Sequence, residues 1–295
     1  MELKNFFTEV KLQKFPFAKI EKDSKLVGIG SCFAEKFLNF LQESQIKTEI
    51  NPSGIIYNLY SIHEIISRVV SNQKFTVDEI DYVNDRYILW SHHGSFGANK
   101  PQKVAAQTNS ALEKFREELL GANFFIITPS SSVVYRHLKN NRIVANCHKE
   151  NNNAFQVEVL STEENGRLLQ EILQLIQSIN PSCKVIFSVS PIRHYPGDLS
   201  LNSRSKANLL SAVYDVVENF SNMAVYFPAY EIVHDELRDY RFYGKDMLHL
   251  SDIAEEYIFQ KFIKWAVSAE CEKFIAGAIK QKKFESHLKK YTDSQ

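Results

Sequence analysis

The chain has 295 residues, of which 44 % are hydrophobic and 24 % charged, and its 35 basic side chains balance 35 acidic ones. A net charge of zero argues against a nucleic-acid-binding protein and against docking on an anionic membrane, because both need a basic surface. No stretch approaches the roughly 18 consecutive apolar residues of a membrane span, and the charged N-terminal segment predicts no secretory signal.

The four cysteines predict free thiols rather than disulfides. Cys32, Cys147, Cys183 and Cys271 are far apart and form no CxxC pair, and no secretory signal precedes them. His148 beside Cys147 does not complete a metal site, because no second pair of ligands follows at a suitable spacing. We therefore expect a cytoplasmic protein without a bound metal.

Short apolar runs alternate with amphipathic segments along most of the chain. Strands are predicted, in chain order, at 25–30, 46–50, 123–128, 184–190 and 223–227. Helices are predicted at 33–44, 62–70, 104–120, 161–180, 205–220 and 251–269, the fourth starting with a capping box and the last capped by Ser251. This alternation predicts a three-layer α/β/α fold with a mostly parallel sheet.

Two regions interrupt the alternation and are interpreted as insertions, near 72–102 and 133–160. The first contains a possible strand at 86–90, and the second predicts a β-hairpin with an Asn-rich turn, outside the main sheet. The tail, 270–295, has a helical pattern rich in lysine and is expected to pack loosely. We interpret residues 1–295 as a single domain.

Polar residues follow four of the predicted strands and precede the last long helix. In an open parallel sheet such residues meet beyond the carboxyl ends of the strands, where ligands bind. The clusters are Ser31 with Cys32, Asn51 to Gly54, Pro129 to Ser132, Pro191 with Arg193 and His194, and Asp246 with His249.

These clusters contain the parts of a nucleophilic site. A serine or cysteine at a strand-to-helix turn is lifted clear of the sheet, and the helix N-terminus stabilises negative charge there. His249 is a candidate base that Asp246 would orient, and Gly54 would offer a backbone N–H to an oxyanion. There are simpler interpretations of these residues. Cys32 would be a small buried residue, Ser31 would cap a helix and Gly54 would only form a turn. Asp246 and His249 would then only precede the start of the last long helix.

Several motifs resemble, in order, the blocks of Bacteroidota-type members of the GSCFA domain family over about residues 20–265. They are "GSCFA" (30–34), "NPSGIIYN" (51–58), "IVANCHK" (143–149), "SPIRH" (190–194), "SRSKANLL" (203–210) and "ELRDYRFYGKDMLH" (236–249). The family is grouped with the SGNH, or GDSL-like, hydrolases, which are esterases and acyltransferases on a flavodoxin-like sheet. The resemblance implies that Cys32 is the nucleophile, Ser31 takes the usual aspartate position, Gly54 helps to hold the oxyanion, and Asp246 and His249 complete the site.

The third block departs from the family pattern. Where an asparagine or glycine turn is expected, the chain has "PSSSVV" (129–134). Either Asn146 reaches the site, or a serine such as Ser130 serves, or the oxyanion hole is weakened. Two hypotheses follow: a hydrolase or acyltransferase acting without a cofactor on a small-molecule or carbohydrate ester or thioester, and a non-catalytic module that binds a carbohydrate or acyl ligand.

Either adjacent residue, Ser31 or Cys32, is a candidate nucleophile. The helix N-terminus and a nearby histidine are expected to lower the pKa of Cys32 toward neutrality, while Ser31 would hydrogen-bond the turn. In the competing interpretation Ser31 attacks and Cys32 packs inward. Candidate substrate-binding residues are Ser130, His148, Arg193 and His194, although the last two also fit a solvated loop.

Overall fold

A computed structural model describes residues 8–193 and 198–292, so the predicted residue His194 lies outside the described part of the chain. The strands are β1 Lys25–Gly30, β2 Lys47–Ile50, β3 Asp81–Val83, β4 Arg86–Ile88, β5 Phe124–Thr128, β6 Val133–His137, β7 Arg142–Val144, β8 Phe155–Val159, β9 Lys184–Phe187 and β10 Ala224–Tyr226. The helices are α1 Cys32–Glu43, α2 Leu59–Ser71, α3 Pro101–Leu120, α4 Thr162–Ile179, α5 Leu199–Asn219, α6 Ala229–Glu231, α7 Asp252–Ala266 and α8 Ala269–Thr292, with a π-helix at Ile232–Leu237.

Five parallel strands form the central sheet in the order β10-β9-β5-β1-β2. Successive strands of the chain are joined by helices, as the right-handed crossovers of parallel sheets require. The predicted α/β fold with a parallel sheet is confirmed. Each predicted strand of this sheet is present, with boundaries that differ by a few residues.

The sheet separates two hydrophobic layers because side chains alternate along each strand. On β1, Val27 and Ile29 join the core with helices α2 to α5, while Leu26 joins the core with α1, α7 and α8. On β5, Phe125 and Ile127 pack on the first side in the same way. Because both faces of the sheet are buried, residues of both faces are apolar, and the strand sequences are continuous apolar runs.

The inserted regions form two small antiparallel sheets. The predicted hairpin is present as β6 and β7, and β8 pairs with the other edge of β6 to make three strands. The strand at 86–88 pairs with β3. Trp90 stacks on His137 with ring centroids 4.5 Å apart, so the two insertions pack against each other.

The C-terminal helices differ from expectation in two respects. The first turns of α8 are not loosely packed, because Cys271 and Ile275 are buried in the core beside α7. Ser251 occupies the N-cap position of α7, but its hydroxyl makes no capping hydrogen bond. The capping box of α4, Ser161 with Glu164, is present as predicted. Within 8–193 and 198–292, none of the helices combines the length and apolarity that a membrane crossing needs.

Candidate active site

The turn after β1 lies tightly against the end of β5. Gly30 has φ +152°, and a Cβ there would come within 2.3 Å of the Thr128 carbonyl oxygen. The Ser31 N–H donates to that same oxygen at 3.1 Å, and the Gly30 N–H donates to Oδ1 of Asn51 at 2.9 Å. Glycine at position 30 therefore allows the turn between β1 and α1 to lie against the backbone at the end of β5.

Ser31 and Cys32 face different surroundings on this turn. The Ser31 side chain is fully buried, and its hydroxyl has no hydrogen-bond partner among the described residues. The expected bond from Ser31 to the turn is therefore absent. Cys32 is half-buried at the first position of α1, and this accessibility supports Cys32 rather than Ser31 as the residue that meets a substrate.

The expectation of a lowered thiol pKa is wrong for this structure. Burial raises the pKa of Cys32, and the backbone N–H groups of Phe33 and Cys32 and the charge of Lys36 only partly offset that increase. Desolvation disfavours the thiolate more strongly than the helix N-terminus favours it. A nucleophilic thiolate at Cys32 would therefore need a further source of stabilisation.

Lys206 on α5 is a buried cation close to Cys32. Its ammonium donates to the carbonyl oxygens of Ser130 and Ser190 at 2.6 Å each, and to Oγ of Ser130 at 3.3 Å. Burial lowers the pKa of Lys206 to about 7, and the charge of the Cys32 thiolate acts in the opposite direction. No carboxylate of the described residues pairs with Lys206, and since the pKa of Cys32 is raised while that of Lys206 is lowered, the two groups do not hold each other in the charged form.

Sequence reasoning missed Lys206 because a lysine inside a predicted helix is usually solvated. The one available signal was its place in "SRSKANLL" (203–210), among the motifs that carried the family resemblance. Tertiary packing buries it because α5 crosses the loops after β5 and β9, where Ser130 and Ser190 present their carbonyl groups.

Gly54 does not present a free amide. Its N–H donates to the carbonyl oxygen of Asn51 at 2.9 Å, which closes a tight turn after β2. Gly54 has φ +75°, and a Cβ there would lie 2.4 Å from Cβ of His93. The conformation explains the glycine, but the expected oxyanion donor is already hydrogen-bonded in this structure.

Asp246 and His249 form a hydrogen-bonded pair immediately before α7. Oδ2 of Asp246 lies 2.6 Å from Nδ1 of His249, and Oδ1 accepts the N–H groups of Leu248 and His249 at 2.9 and 3.0 Å. The bond from His249 is the main reason that the pKa of Asp246 lies well below its usual range. With Nδ1 bound to a carboxylate, Nε2 is left for proton transfer.

The pair is connected to Cys32 through α1 and α7 rather than directly. No hydrogen bond joins His249 to Cys32 in the described part of the chain. Lys36 of α1 pairs with Glu255 of α7 at 2.5 Å, and the charge of His249 lowers the pKa of Glu255, which burial raises overall. Convergence of the nucleophile and the base on one catalytic centre therefore stays a prediction.

A cavity of about 280 Å³, here called the asparagine cavity, lies beside Tyr57. Its lining residues are Tyr57, Asn58, Ser131, Val133, Tyr135, Val144, Ala145, Asn146 and Cys147. Burial raises the pKa of Tyr57 to about 12, and the neighbouring charges of Cys32 and Glu35 add to the effect. The charge of Cys32 thus reaches Tyr57, although Cys32 is not among the described residues that line the cavity.

Two carboxamides of this cavity have their oxygens fixed by the backbone. Oδ1 of Asn58 accepts the Ser61 N–H at 2.8 Å, and Oδ1 of Asn146 accepts the His148 N–H at 2.7 Å. Within the described residues neither NH₂ group donates a hydrogen bond. They are therefore available donors for a carbonyl oxygen of a ligand, which fits the predicted role of Asn146.

The remaining candidates occupy separate places. Ser130 is buried against Lys206, and Nε2 of His148 lies 3.0 Å from the Leu89 carbonyl oxygen while burial lowers the pKa of its ring to about 4. Arg193 lines a second cavity, away from the asparagine cavity. In the part of the chain that the structure describes, no three His, Cys, Asp or Glu side chains are grouped so as to hold a metal, and the four cysteines are free, as predicted.

Comparison with known proteins identifies a family but no well-matched relative. A search of curated proteins found no match. Among solved structures, a carbohydrate esterase family 3 protein from Talaromyces cellulolyticus has a TM-score of 0.39 at 8 % identity, with 81 % of this chain and 94 % of that chain covered. The acetyl xylan esterase Est2A from Butyrivibrio proteoclasticus has a TM-score of 0.41 at 9 % identity, with 82 % and 63 % covered.

Similarity at this level does not carry the activity of those esterases over to this chain. The family profile, by contrast, spans β1 to α7 and includes the turn with Cys32, the buried Lys206 and the Asp246–His249 pair. The chain is a member of the GSCFA family, whose profile matches it over residues 25–262.

Proposed function

We propose that this protein is a cysteine-dependent hydrolase or acyltransferase of the cytoplasm that acts on an ester or thioester of a small molecule or carbohydrate. The observation that carries the proposal is the hydrogen-bonded Asp246–His249 pair, which leaves Nε2 of the imidazole to accept a proton from the half-buried Cys32. Because burial raises the pKa of this thiol, Cys32 needs such a base to form a thiolate.

In the proposed reaction His249 takes the proton of the Cys32 thiol at Nε2, while Asp246 holds the ring in the required tautomer. The thiolate attacks the acyl carbonyl carbon, a carbon–sulfur bond forms, and the bond to the leaving alcohol or thiol breaks as that group takes the proton from His249. Water or an acceptor hydroxyl, deprotonated by His249, then attacks the acyl-cysteine. The carbon–sulfur bond breaks, the acid or the new ester is released, and the Cys32 sulfur takes the proton back from His249.

The negative oxygen formed at each stage requires hydrogen-bond donors. The N–H groups of Cys32 and Phe33 are at the N-terminus of α1, where helical N–H groups lack intrahelical partners. The NH₂ groups of Asn58 and Asn146 are further donors on the side of the asparagine cavity. These groups take the role that the sequence assigned to Gly54, whose N–H is bonded to Asn51.

A second candidate function, a non-catalytic module that binds a carbohydrate or acyl ligand, is favoured by two observations. The amide of Gly54 is occupied, and no hydrogen bond joins His249 to Cys32 among the described residues. Such a module would keep the asparagine cavity as its ligand site. It would form no covalent intermediate at Cys32.

An acyl-transfer assay distinguishes the two candidates. The protein is incubated with short-chain p-nitrophenyl esters and acyl thioesters, and product release is followed together with the mass of the intact protein. We expect turnover and a hydroxylamine-sensitive acyl adduct on Cys32, identified by peptide mass spectrometry. Absence of both in folded protein, with retained ligand binding, would favour the binding module.

Histidine variants provide the matched control. His249→Gln is expected to reduce turnover by about a thousandfold, because the base is lost. His63→Gln should leave turnover unchanged, because His63 forms a comparable pair with Glu171, at 3.1 Å, on the helical layer of α2 and α4. Equal losses in both variants would indicate a general effect on folding and contradict the assignment of His249.

A further inference from the structure

A second cavity, here called the arginine cavity, opens beside the Asp246–His249 pair. It has a volume of about 290 Å³, and its lining residues are Arg193, Val233, His234, Arg238, Asp239, Tyr240, Tyr243 and Met247. Met247 lies between Asp246 and His249 in the chain, so the cavity adjoins the candidate base. The proposed reaction assigns no role to its two arginines.

In the part of the chain that the structure describes, the guanidinium groups of this cavity have no anionic partner. No ion pair of the described residues includes Arg193 or Arg238. Asp239, the carboxylate among the described lining residues, is directed to Arg241, whose backbone N–H it accepts at 2.9 Å and whose Nε lies 3.9 Å away. Asp235 is exposed and does not line the cavity.

The charge of Arg193 acts on the pKa of His234, Tyr230 and Tyr243, and these side chains are neutral at pH 7. Burial lowers the pKa of His234 to about 4, and Arg193 adds to this effect. Burial raises the pKa of Tyr230 and Tyr243, with Arg193 acting in the opposite direction. Arg193 therefore lies among neutral rings, and the carboxylates that also act on these rings, Glu231 and Asp235, form no ion pair with it among the described residues.

The backbone that carries Arg193 is held in place. Ile192 is buried, and its N–H donates to Oγ of Ser190 at 3.3 Å. The carbonyl oxygen of Ser190 accepts from Lys206, and that of Pro191 lies 3.2 Å from Nε2 of His234 on the π-helix. Since the backbone before Arg193 is already held in place, only the side chain has to be ordered when a ligand binds.

We propose that the arginine cavity binds a compact oxyanion, a carboxylate or phosphate group of the substrate, with Arg193 as its principal ligand and Arg238 at the rim. A guanidinium presents paired N–H donors that match the two oxygens of such a group, and these donors are available because no ion pair of the described residues includes Arg193. This inference rests on the proposed function in one respect: the cavity adjoins the candidate base, so the bound anion would be part of the acyl donor or acceptor.

Direct binding of two probe anions tests the inference without requiring any reaction. Inorganic phosphate and succinate are titrated into the protein at constant ionic strength, with chloride as the balancing anion, by calorimetry and by thermal unfolding. We expect saturable binding of at least one probe, and Arg193→Gln should weaken it by at least about tenfold. Preference for phosphate or for succinate then distinguishes the two sources of the oxyanion.

Further variants keep the test conclusive. Arg193→Lys retains charge but loses the paired donors and should bind with intermediate affinity, while Arg167→Gln, at an exposed arginine paired with Glu171 on α4, should bind as the wild type does. Absence of binding to the wild type, or equal affinity in wild type and in a folded Arg193 variant, would overturn the inference. Cys32→Ala should bind the probes normally, so failure of the acyl-transfer assay and failure of the anion site are separate results.

Discussion

Cys32 and Ser31 are adjacent in the chain, but burial divides their roles. Cys32 is half-buried at the start of α1, whereas the Ser31 hydroxyl is enclosed without a partner. A buried polar group that makes no hydrogen bond costs free energy, because it has lost its bonds to water. Ser31 therefore contributes neither a cap nor an accessible nucleophile.

Substitution of each residue by alanine should separate these roles. Ser31→Ala is expected to leave the free energy of unfolding unchanged or to raise it by up to about 1 kcal/mol, since it removes an unpaired hydroxyl, and to retain activity. Cys32→Ala should lose about a thousandfold or more in turnover, together with alkylation by iodoacetamide at that position. Urea unfolding and the assay above measure both effects, and an inactive Ser31→Ala beside an active Cys32→Ala would reverse the assignment.

Lys206 makes stability depend on pH with a definite sign. Burial holds its pKa at about 7 in the folded protein, compared with 10.5 for an ordinary lysine. Between these values the unfolded chain binds more protons than the folded one, so the contribution of Lys206 to the free energy of unfolding rises with pH, by up to about 1.4 kcal/mol per pH unit. Below about pH 7 both states are protonated, and the full cost of burying the charge remains.

The difference in stability between wild type and Lys206→Met should therefore shift in favour of the wild type from about pH 7 to about pH 9. Chemical unfolding at several pH values measures it. Lys184→Met is the comparison variant, because the ammonium of Lys184 also donates to a backbone carbonyl, that of Asn222 at 2.9 Å, but this hydrogen bond lies at an exposed position. Parallel pH curves for wild type and Lys206→Met would show that Lys206 keeps an ordinary pKa.

At the scale of elements, the junction of β1 and α1 depends on how closely it approaches β5. A side chain at position 30 would meet the Thr128 carbonyl oxygen at 2.3 Å, and φ +152° already disfavours other residues. The strand cannot move away, because Leu26 to Gly30 pair along the whole of β5. The conformation of this turn is therefore fixed by the neighbouring strand.

Gly30→Ala should lower the free energy of unfolding by at least about 2 kcal/mol, from backbone strain and steric overlap. Gly166→Ala is the matched control, because position 166 lies within α4 and nothing lies within 4 Å of its added Cβ. That change should stabilise the protein by about 0.5–1 kcal/mol, as glycine is unfavourable in a helix. Equal effects of the two substitutions in urea unfolding would be inconsistent with a constrained turn.

In the molecule as a whole, helices cover both faces of the sheet, and α8 belongs to the layer that contains α1 and α7. Cys271 and Ile275 are almost fully buried with α1 and α7, although the segment is rich in lysine. Their spacing of four residues places them on one face of the helix. The first half of the tail is thus part of the core.

Ile275→Ala should lower the free energy of unfolding by about 2–4 kcal/mol, the usual cost of a cavity at a buried aliphatic site. Phe284→Ala, farther along the same helix at a side chain 64 % exposed, should change stability by less than about 0.5 kcal/mol. Thermal and chemical unfolding of the two variants test this contrast. A small effect of Ile275→Ala would mean that the tail packs as loosely as its composition suggested.

Local sequence patterns were sufficient to predict the class of fold, the parallel strands, the α4 capping box and the order of the polar clusters after the strands. These features follow from local rules: apolar run length, helical periodicity and side-chain hydrogen bonds within one turn. The Asp246–His249 pair also depended on short spacing, so a sequence pattern was sufficient to predict it.

Long-range packing, in contrast, determines which polar groups are buried and which already have hydrogen-bond partners. Lys206 is buried because α5 packs against two loops that are distant in the chain. The Gly54 N–H is unavailable to a ligand because it donates to the Asn51 carbonyl oxygen within its own turn. The raised pKa of Cys32 likewise comes from packing around the thiol. Desolvation depends on atoms from many segments at once, and no local pattern encodes their sum.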